Sequence, residues 1–361
     1  MYFSYGKGNG TPSLQTASSL FVHHHQVRIL HKYDLSSLNT FRMKVSCECF
    51  VEYESVGELE SLDTESLPKP LLHIGEGSNL LFTKDFPGTV LHSNIEYIKY
   101  VDMGFDDVPV MVGAGVNFDS FVAETCRHGL WGAENLSLIP GETGAAAVQN
   151  IGAYGVEIKD IVSGVVCFDL RERKRVKFQV GDCRYGYRSS MFKESENKGR
   201  YVVTSVLFRL SRRPNPRLEY KGLSEALGGR EPRTPQEVRE AVVRIRRAKL
   251  PDPEEIGSAG SFFKNPVVSA EDFARISPDA SAPHYNLPDG TVKIPAAWMI
   301  DSCGLKGAVE GGAAVYEKQP LVIVNRSGDA APEDILALER RIVDGVRERF
   351  GVELHPEVEH I

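Results

Sequence analysis

Two glycine-rich segments contain the residue types that could bind a phosphorylated cofactor. The first is GEGSN at 75–79, and the second is IPGETGAAAVQNIGAYG at 139–155. Glycine lets backbone N–H groups approach a diphosphate closely, and Ser78, Asn79 and Thr143 add neutral donors. Tight turns and close packing would explain the same composition, so the residues alone leave a diphosphate cradle and a structural role open.

The spacing of these glycines excludes two common nucleotide sites. Neither segment has GxGxxG before a helix with an acidic residue about 20 positions later, as a Rossmann site requires. The sequence also has no GxxxxGK[ST], which excludes a P-loop nucleotidase.

Local patterns predict the elements that must position these segments. Residues 71–74 form an apolar run that predicts a buried strand leading into Gly75. Capping boxes at Ser55–Glu58 and Thr234–Glu237 predict the starts of two helices. The spacing predicts further helices over 117–129 and over 332–350, the last of which should stop at Gly351. Short β-rich runs from Ile161 to Leu210 predict an antiparallel sheet, so the expected fold class is α+β. The arginines of the helix after Thr234 are assigned mostly to its solvated face.

Composition limits the classes of function. The chain has 361 residues and a net charge of −7, which disfavours a nucleic-acid partner. No apolar stretch reaches the 18 residues that a membrane span needs. The first 33 residues lack the features of a signal peptide, and the triplet His23–His25 is taken as incidental, so no metal site is expected. The six cysteines form no CxxC pair and predict free thiols in a reducing cytoplasm.

Longer motifs carry a specific resemblance. The sequence contains, in order, GEGSNLLF, ENLSLIPGETGAAAVQNIGAYGVEI, CRYGYRSSMF, AKLPDP, GSFFKNPVV and LHPEV. Over about 34–358 it resembles the UDP-N-acetylenolpyruvoylglucosamine reductases, flavoenzymes of peptidoglycan synthesis. The resemblance implies a two-lobed FAD-binding unit of the vanillyl-alcohol-oxidase type and an α+β substrate-binding domain.

The pattern and the resemblance together predict four segments in the chain. Residues 1–33 are expected to be a disordered extension, and 34–212 the FAD-binding domain, divided near 98. Residues 213–331 would bind substrate, and 332–361 would be a C-terminal helix and tail that return to the active site.

The resemblance also implies noncovalent FAD, with NADPH as co-substrate, so His73 is interpreted as a strand residue and not as a flavin tether. The residues that would bind the cofactor are Gly75, Glu76, Gly77, Ser78, Asn79, Pro140, Gly141, Gln149, Asn150, Gly152, Ala153, Tyr154 and Gly155.

The implied reaction reduces UDP-N-acetylglucosamine enolpyruvate to UDP-N-acetylmuramate, with hydride passing from NADPH through FAD to the enolpyruvyl β-carbon. Negative charge then develops at the α-carbon and its carboxylate, which calls for a cation and a proton donor. The resemblance implies Arg184 as the enolate-stabilising arginine, Ser261 as the proton donor and Glu357 as the assisting acid, while Arg188 is expected to be structural. Alone, these residues would be interpreted as a surface ion pair, a turn and a solvated charge.

Four residues are candidates to bind the substrate. Tyr220 matches a tyrosine loop of the family's longer form, Lys249 is a candidate for the phosphates, and Lys264 and Asn265 are further polar contacts. Arg42 follows Asn39-Thr40-Phe41, where the family usually has glycine.

Two other functions remain open on the sequence. One is an FAD oxidase or dehydrogenase of the same fold with another substrate, and the other is a flavin- or nucleotide-sugar-binding protein without turnover. A cytoplasmic monomer is expected.

Overall fold

The computed structural model describes residues 27–101, 104–220 and 222–361. Most of the expected N-terminal extension, including His23–His25, lies outside the described residues. Residues 28–33 were expected to belong to that extension, but Arg28–Asp34 forms a strand that pairs with Ser46–Tyr53. This limit is therefore corrected, because the sheet begins inside the segment.

The first lobe is a four-stranded sheet with one helix beside it. Its strand order is β1-β2-β5-β3, in which β2, β5 and β3 are parallel and β1 is antiparallel. The elements of this part are β1 (Arg28–Asp34), β2 (Ser46–Tyr53), α1 (Val56–Ser61), β3 (Leu71–Ile74), β4 (Leu80–Leu81) and β5 (Phe86–Ser93). Ser55 caps α1 by accepting from the Glu58 N–H, as the sequence predicts.

The second lobe is a five-stranded antiparallel sheet in the order β11-β10-β12-β7-β6. The antiparallel sheet expected between Ile161 and Leu210 is confirmed. The elements are β6 (Ile98–Tyr100), β7 (Asp107–Gly113), α2 (Phe118–Arg127), α3 (Thr143–Gln149), β8 (Gly152–Ala153), β9 (Val156–Glu157), β10 (Val162–Asp169), β11 (Lys174–Gln179) and β12 (Tyr201–Ser211).

The rest of the chain combines helices with short strands. Its helices are α4 (Leu223–Ala226), α5 (Pro235–Lys249), α6 (Ala270–Ile276), α7 (Ala296–Ser302) and α8 (Pro332–Phe350). Its strands are β13 (Gly257–Ser261), β14 (Val267–Val268), β15 (Tyr285–Asn286), β16 (Val292–Lys293), β17 (Val309–Glu310), β18 (Ala313–Val315), β19 (Val322–Asn325) and β20 (Glu359–His360). The predicted helix start capped by Thr234 is confirmed at α5, and the predicted helix end at Gly351 is confirmed at α8.

One apolar core joins the first lobe to the C-terminal part. Phe41 and Phe50 of the first lobe belong to the same buried cluster as Phe262 and Ile335. The rings of Phe41 and Phe262 lie 6.2 Å apart, centroid to centroid. The second lobe has its own core around Phe121 and Phe208. The part from β13 onward is therefore fixed against the first lobe, whereas α5 packs on α2 of the second lobe and pairs through Arg239 with Asp119.

The six cysteines are free thiols, and five of them are buried. None of the helices within the described ranges is long and apolar enough to cross a membrane.

Candidate functional site

A cleft of about 1510 Å³ runs between the two lobes and the C-terminal part. This is larger than the roughly 300–1,000 Å³ of a site for one drug-sized ligand. Nine of the residues expected to bind cofactor line it: Gly75, Glu76, Gly77, Ser78, Asn79, Pro140, Gly141, Gln149 and Gly152. Both glycine-rich segments therefore face one elongated cavity.

Glu76 holds the two glycine-rich segments together. Its carboxylate accepts from the Gly141 N–H at 3.0 Å and from Asn117 Nδ2 at 2.8 Å. The hydroxyl of Ser78 donates to the Pro140 carbonyl at 3.2 Å. The Glu76 carboxylate therefore links the two loops, and the neighbouring glycines face the cleft.

Glycine is required by space as well as by conformation in these loops. Gly77 has φ +64°, and a Cβ there would lie 2.2 Å from the Leu38 carbonyl oxygen. Gly141 has φ +113°, and its Cβ would lie 2.7 Å from Ser78 Oγ. A side chain at either position would displace the loop that borders the cleft.

Asn150 supports the site from behind the cleft and does not line it. It ends α3 in the left-handed region with φ +46°, it is fully buried, and its Nδ2 donates to the Gly186 carbonyl at 2.7 Å. Gly186 and Ser189 bond to each other across a tight turn whose third residue, Arg188, has φ +52°. Strained backbone of this kind concentrates at functional sites. Ala153, Tyr154 and Gly155 also lie outside the cleft lining.

Arg188 lies in the cleft and contacts Glu357. Its Nε is 2.7 Å from Glu357 Oε1, and its Nη2 donates to the Gly152 carbonyl at 2.7 Å. The two side chains are only 19% and 15% exposed. Burial raises the pKa of Glu357, and the charges of Arg188, Lys193 and Lys264 oppose this rise only in part.

Arg184 does not reach the cleft. Its guanidinium is 54% exposed and pairs with Glu194 and Glu196. The structure therefore brings Arg188, which was expected to be structural, into the cleft and leaves Arg184, the expected enolate-stabilising arginine, outside it. The physical reason is that the turn at Gly186–Ser189 carries Arg188 into the cleft, whereas Arg184 lies in the turn after β11 and pairs with Glu194 and Glu196.

Ser261 reaches the cleft through a bulge in β13. The pairing of β13 with β19 shifts between Ser258 and Ser261, so that three steps on β13 oppose two on β19. Gly260 inside this bulge has φ +69°. A bulge with a left-handed glycine bends a strand and redirects the next side chain, and here it brings Ser261 into the cleft lining.

A short antiparallel contact places Glu357 beside Ser261. The Glu357 N–H donates to the Phe262 carbonyl at 2.8 Å, and Lys264 N–H donates to the His355 carbonyl at 2.9 Å. Asn79 Nδ2 donates to the Glu357 carbonyl at 3.0 Å. Three distant segments of the sequence therefore meet at one end of the cleft.

The four candidate substrate residues are only partly brought together. Lys264 lines the cleft, but Tyr220, Lys249 and Asn265 do not. Lys249 is exposed at the end of α5. Tyr220 packs its ring against Tyr154, with centroids 5.0 Å apart. Asn265 Oδ1 accepts from the Ala296 N–H at 2.9 Å, which ties it to the start of α7.

Several cations that were not predicted as site residues also line the cleft, among them Lys193 and Arg246. Lys193 lies five residues after Arg188 in the sequence, and its Nζ is 2.6 Å from Gln149 Oε1. Arg246 was assigned mostly to a solvated face, but it lines the cleft and donates through Nε to the Leu138 carbonyl at 3.1 Å. Its position in the sequence could have predicted this placement. Arg246 is eight residues after the buried Val238, on the face of α5 that packs toward the core.

A buried hydrogen-bonded group supports the wall behind Gly75. His73 bonds to the Tyr53 hydroxyl at 2.7 Å, and burial lowers the pKa of His73 to about 3. His92 Nε2 lies 2.8 Å from Glu142 Oε1. Burial alone would lower the pKa of His92, but the bonds and charges of Glu142 and Glu52 raise it. As expected, His73 is a residue of β3.

Comparisons with known proteins place this site in a family. The chain is 48% identical over 332 residues to a UDP-N-acetylenolpyruvoylglucosamine reductase of Bacteroides fragilis, covering 91% of this chain and 99% of that protein. The chain belongs to the UDP-N-acetylenolpyruvoylglucosamine reductase family. A relative so named from Chromobacterium violaceum is 46% identical over 90% of this chain and 96% of that protein.

Two regions of the chain match models of known protein domains. Residues 49–172 match an FAD binding domain, and residues 252–361 match the reductase family's C-terminal domain. The crystal structure of the Thermus caldophilus reductase superposes with a TM-score of 0.64 at 25% identity, over 93% of this chain and 98% of that chain. The expected α+β fold, with an FAD-binding unit of the vanillyl-alcohol-oxidase type, is confirmed.

The residues present fit FAD. The cleft is long, two glycine loops border it, and a Cβ would collide with the Leu38 carbonyl at Gly77 and with Ser78 at Gly141. Backbone amides without side-chain obstruction are the donors that a diphosphate requires. This reductase-family chain is an FAD-containing oxidoreductase that uses NADPH. The domain limits near 98, 213 and 332 remain predictions.

Proposed function

We propose that this chain reduces UDP-N-acetylglucosamine enolpyruvate to UDP-N-acetylmuramate with NADPH, as a step of peptidoglycan synthesis. The observation that carries the proposal is the meeting of Arg188, Ser261, Glu357 and Lys264 at one end of the cofactor cleft. The noncovalently bound FAD supplies hydride transfer from NADPH to the enolpyruvyl β-carbon.

Arg188 and Lys264 supply the positive charge that the reaction needs. Hydride addition at the β-carbon places negative charge on the α-carbon and its carboxylate. A guanidinium binds a carboxylate through two parallel N–H bonds and stays charged at every working pH. Arg188 is held by Glu357 and by the Gly152 carbonyl, so it is ordered before substrate arrives.

Ser261 is proposed to donate the proton that the α-carbon takes up. A serine hydroxyl is a weak acid, so it needs a neighbouring cation or acid that makes the transfer favourable. Glu357 is adjacent through the Phe262 carbonyl, and its raised pKa favours the protonated form at a higher pH than usual. Glu357 therefore orients Arg188 and can return a proton to the serine.

The remaining substrate contacts extend from this centre. Lys264 lies in the cleft, whereas Lys249 ends α5 and Tyr220 packs on the Tyr154 ring, both outside the cleft lining. We propose Lys249 and Tyr220 for the substrate phosphates, and Lys264 and Asn265 for further polar contacts, with Asn265 held by its bond to the Ala296 N–H. We further propose that the enzyme works as a cytoplasmic monomer without a nucleic-acid partner, which agrees with its negative net charge.

The proposal is tested by anaerobic mixing in two steps. NADPH should bleach the visible flavin band of the purified protein, and UDP-N-acetylglucosamine enolpyruvate should restore it with formation of UDP-N-acetylmuramate. Recovery only with oxygen would identify an FAD oxidase of the same fold. Bound flavin that NADPH does not bleach would identify a binding protein without turnover.

A further inference from the structure

Lys193 is a partly buried cation at the reaction end of the cleft that the proposed chemistry does not use. It follows Arg188 by five residues, in a single helical turn formed by Met191–Lys193. Its Nζ lies 2.6 Å from Gln149 Oε1, and the Arg188 carbonyl lies 3.5 Å from the same nitrogen. Gln149 and Lys193 both line the cleft.

The contact with Lys193 decides which way the Gln149 amide faces. An ammonium group has three donors and no acceptor, so only the oxygen of the amide can face it. The Nε2 group of Gln149 must then point away from Lys193. Gln149 ends α3 between the glycine loop and Gly152, so its two N–H donors are available to a ligand in the cleft.

The charge of Lys193 is placed where it can act on the bound cofactor. Its environment contains Glu357 and Glu359 as opposite charges and Lys264 and Lys198 as like charges. Lys198 is itself paired with Glu359, and Glu357 is paired with Arg188. The carboxylates nearest to Lys193 are therefore committed to other cations, and the charge of Lys193 is not neutralised by a dedicated partner among the residues that the structure describes.

We propose that Lys193 is a positioning residue that fixes the Gln149 amide with its N–H donors toward the flavin ring and favours the reduced flavin by its charge. Reduction adds two electrons and one proton to the isoalloxazine ring, so the reduced ring gains one negative charge. A nearby cation and an oriented N–H donor stabilise this form more than the neutral oxidised form. The inference rests on FAD binding in this cleft and does not require the proposed substrate.

The test is the reduction potential of the FAD-loaded enzyme, measured by dithionite titration against a reference dye without NADPH or substrate. Lys193→Met should lower the ratio of reduced to oxidised flavin at a given potential about tenfold, which is about 30 mV for a two-electron couple. Lys193→Arg keeps the charge and the donors, and it should return the potential close to that of the native enzyme. Lys174→Met is the matched control, because it removes an exposed lysine that pairs with Glu172 away from the cleft.

Two further outcomes keep the inference open to refutation. An unchanged potential in Lys193→Met that still holds FAD would overturn it. If Lys193→Met fails to retain FAD, Lys193→Gln and Lys193→Arg are compared: a lower potential in the Gln variant alone supports the charge, and the same potential in both refutes it. Failure of the proposed function would show as absent turnover of the enol ether with these potentials unaffected.

Discussion

Arg188 Nε lies 2.7 Å from Glu357 Oε1, although the two residues are 169 positions apart in the sequence. One comes from a tight turn of the second lobe, and the other from the segment that precedes β20. Removal of either partner would leave the other charge buried without its partner, which costs more than the pair itself contributes. The active site therefore exists only when the second lobe and the C-terminal segment are correctly docked.

Substitution of Arg188 should distinguish it from Arg184. Arg188→Gln is expected to lower kcat about 10²–10³-fold, in the range of a lost electrostatic contact to a developing negative charge. Arg184→Gln should change kcat less than twofold, because its side chain is exposed and pairs outside the cleft. Steady-state assays measure kcat for both variants, and single-turnover reoxidation of the reduced flavin by the enol ether shows whether the slow step is the one that Arg188 assists. The reverse pattern would return the role to Arg184.

Ser261→Ala should separate the two half-reactions. Reduction of the flavin by NADPH should keep its rate, whereas reoxidation by the enol ether should slow at least 10²-fold, the range of a lost general acid. Ser261→Cys keeps a proton donor at the same position and should recover part of that rate. Stopped-flow absorbance follows each half-reaction, and equal slowing of both halves in Ser261→Ala would exclude the proton-donor role.

The pairing of β20 with β4 should control catalysis from outside the cleft. The Thr83 hydroxyl donates to the Ile361 carbonyl at 2.7 Å, and Thr83 does not line the cleft. Thr83→Val keeps the shape and removes this bond, which should weaken the docking of residues 358–361 by about 1 kcal/mol. We expect faster hydrogen exchange in that segment and a lower kcat with unchanged FAD affinity. Loss of FAD with no change in exchange would contradict this link.

Glu134 should make the stability of the fold depend on pH. Burial raises the pKa of Glu134 to about 7 from 4.5, so the folded state binds a proton that the unfolded state releases between these values. The free energy of unfolding should therefore fall by about 3 kcal/mol as pH rises from below 4.5 to above 7. Glu134→Gln carries no titrating group, and its unfolding should lack this component. Thermal unfolding midpoints at pH 5 and pH 8 compare the two proteins, and parallel pH profiles would contradict the prediction.

Much of the fold could be predicted because its signals are local. The capped starts at Ser55 and Thr234, the strand at 71–74 and the stop at Gly351 each depend on residues within one turn. The choice between Arg184 and Arg188 could not be made in this way. Both have positive φ, and they differ in that Arg188 lies in the turn that Asn150 contacts and that borders the cleft. The sequence motif identifies the segment that holds both arginines, and contacts between distant segments determine which arginine faces the cleft.

Gly77→Ala should abolish FAD binding while most of the fold remains. Gly77 has φ +64°, and an added Cβ would lie 2.2 Å from the Leu38 carbonyl oxygen, so the loop that borders the cleft must move. Gly129→Ala is the matched control: its φ is +70°, but no heavy atom lies within 4 Å of the added Cβ. The control should lose about 1–2 kcal/mol from the left-handed backbone alone and still bind FAD. Flavin content and fluorescence-monitored FAD titration compare the two variants. Equal FAD affinity in both would mean that the Gly77 loop does not border the cofactor, because the two substitutions differ chiefly in that collision.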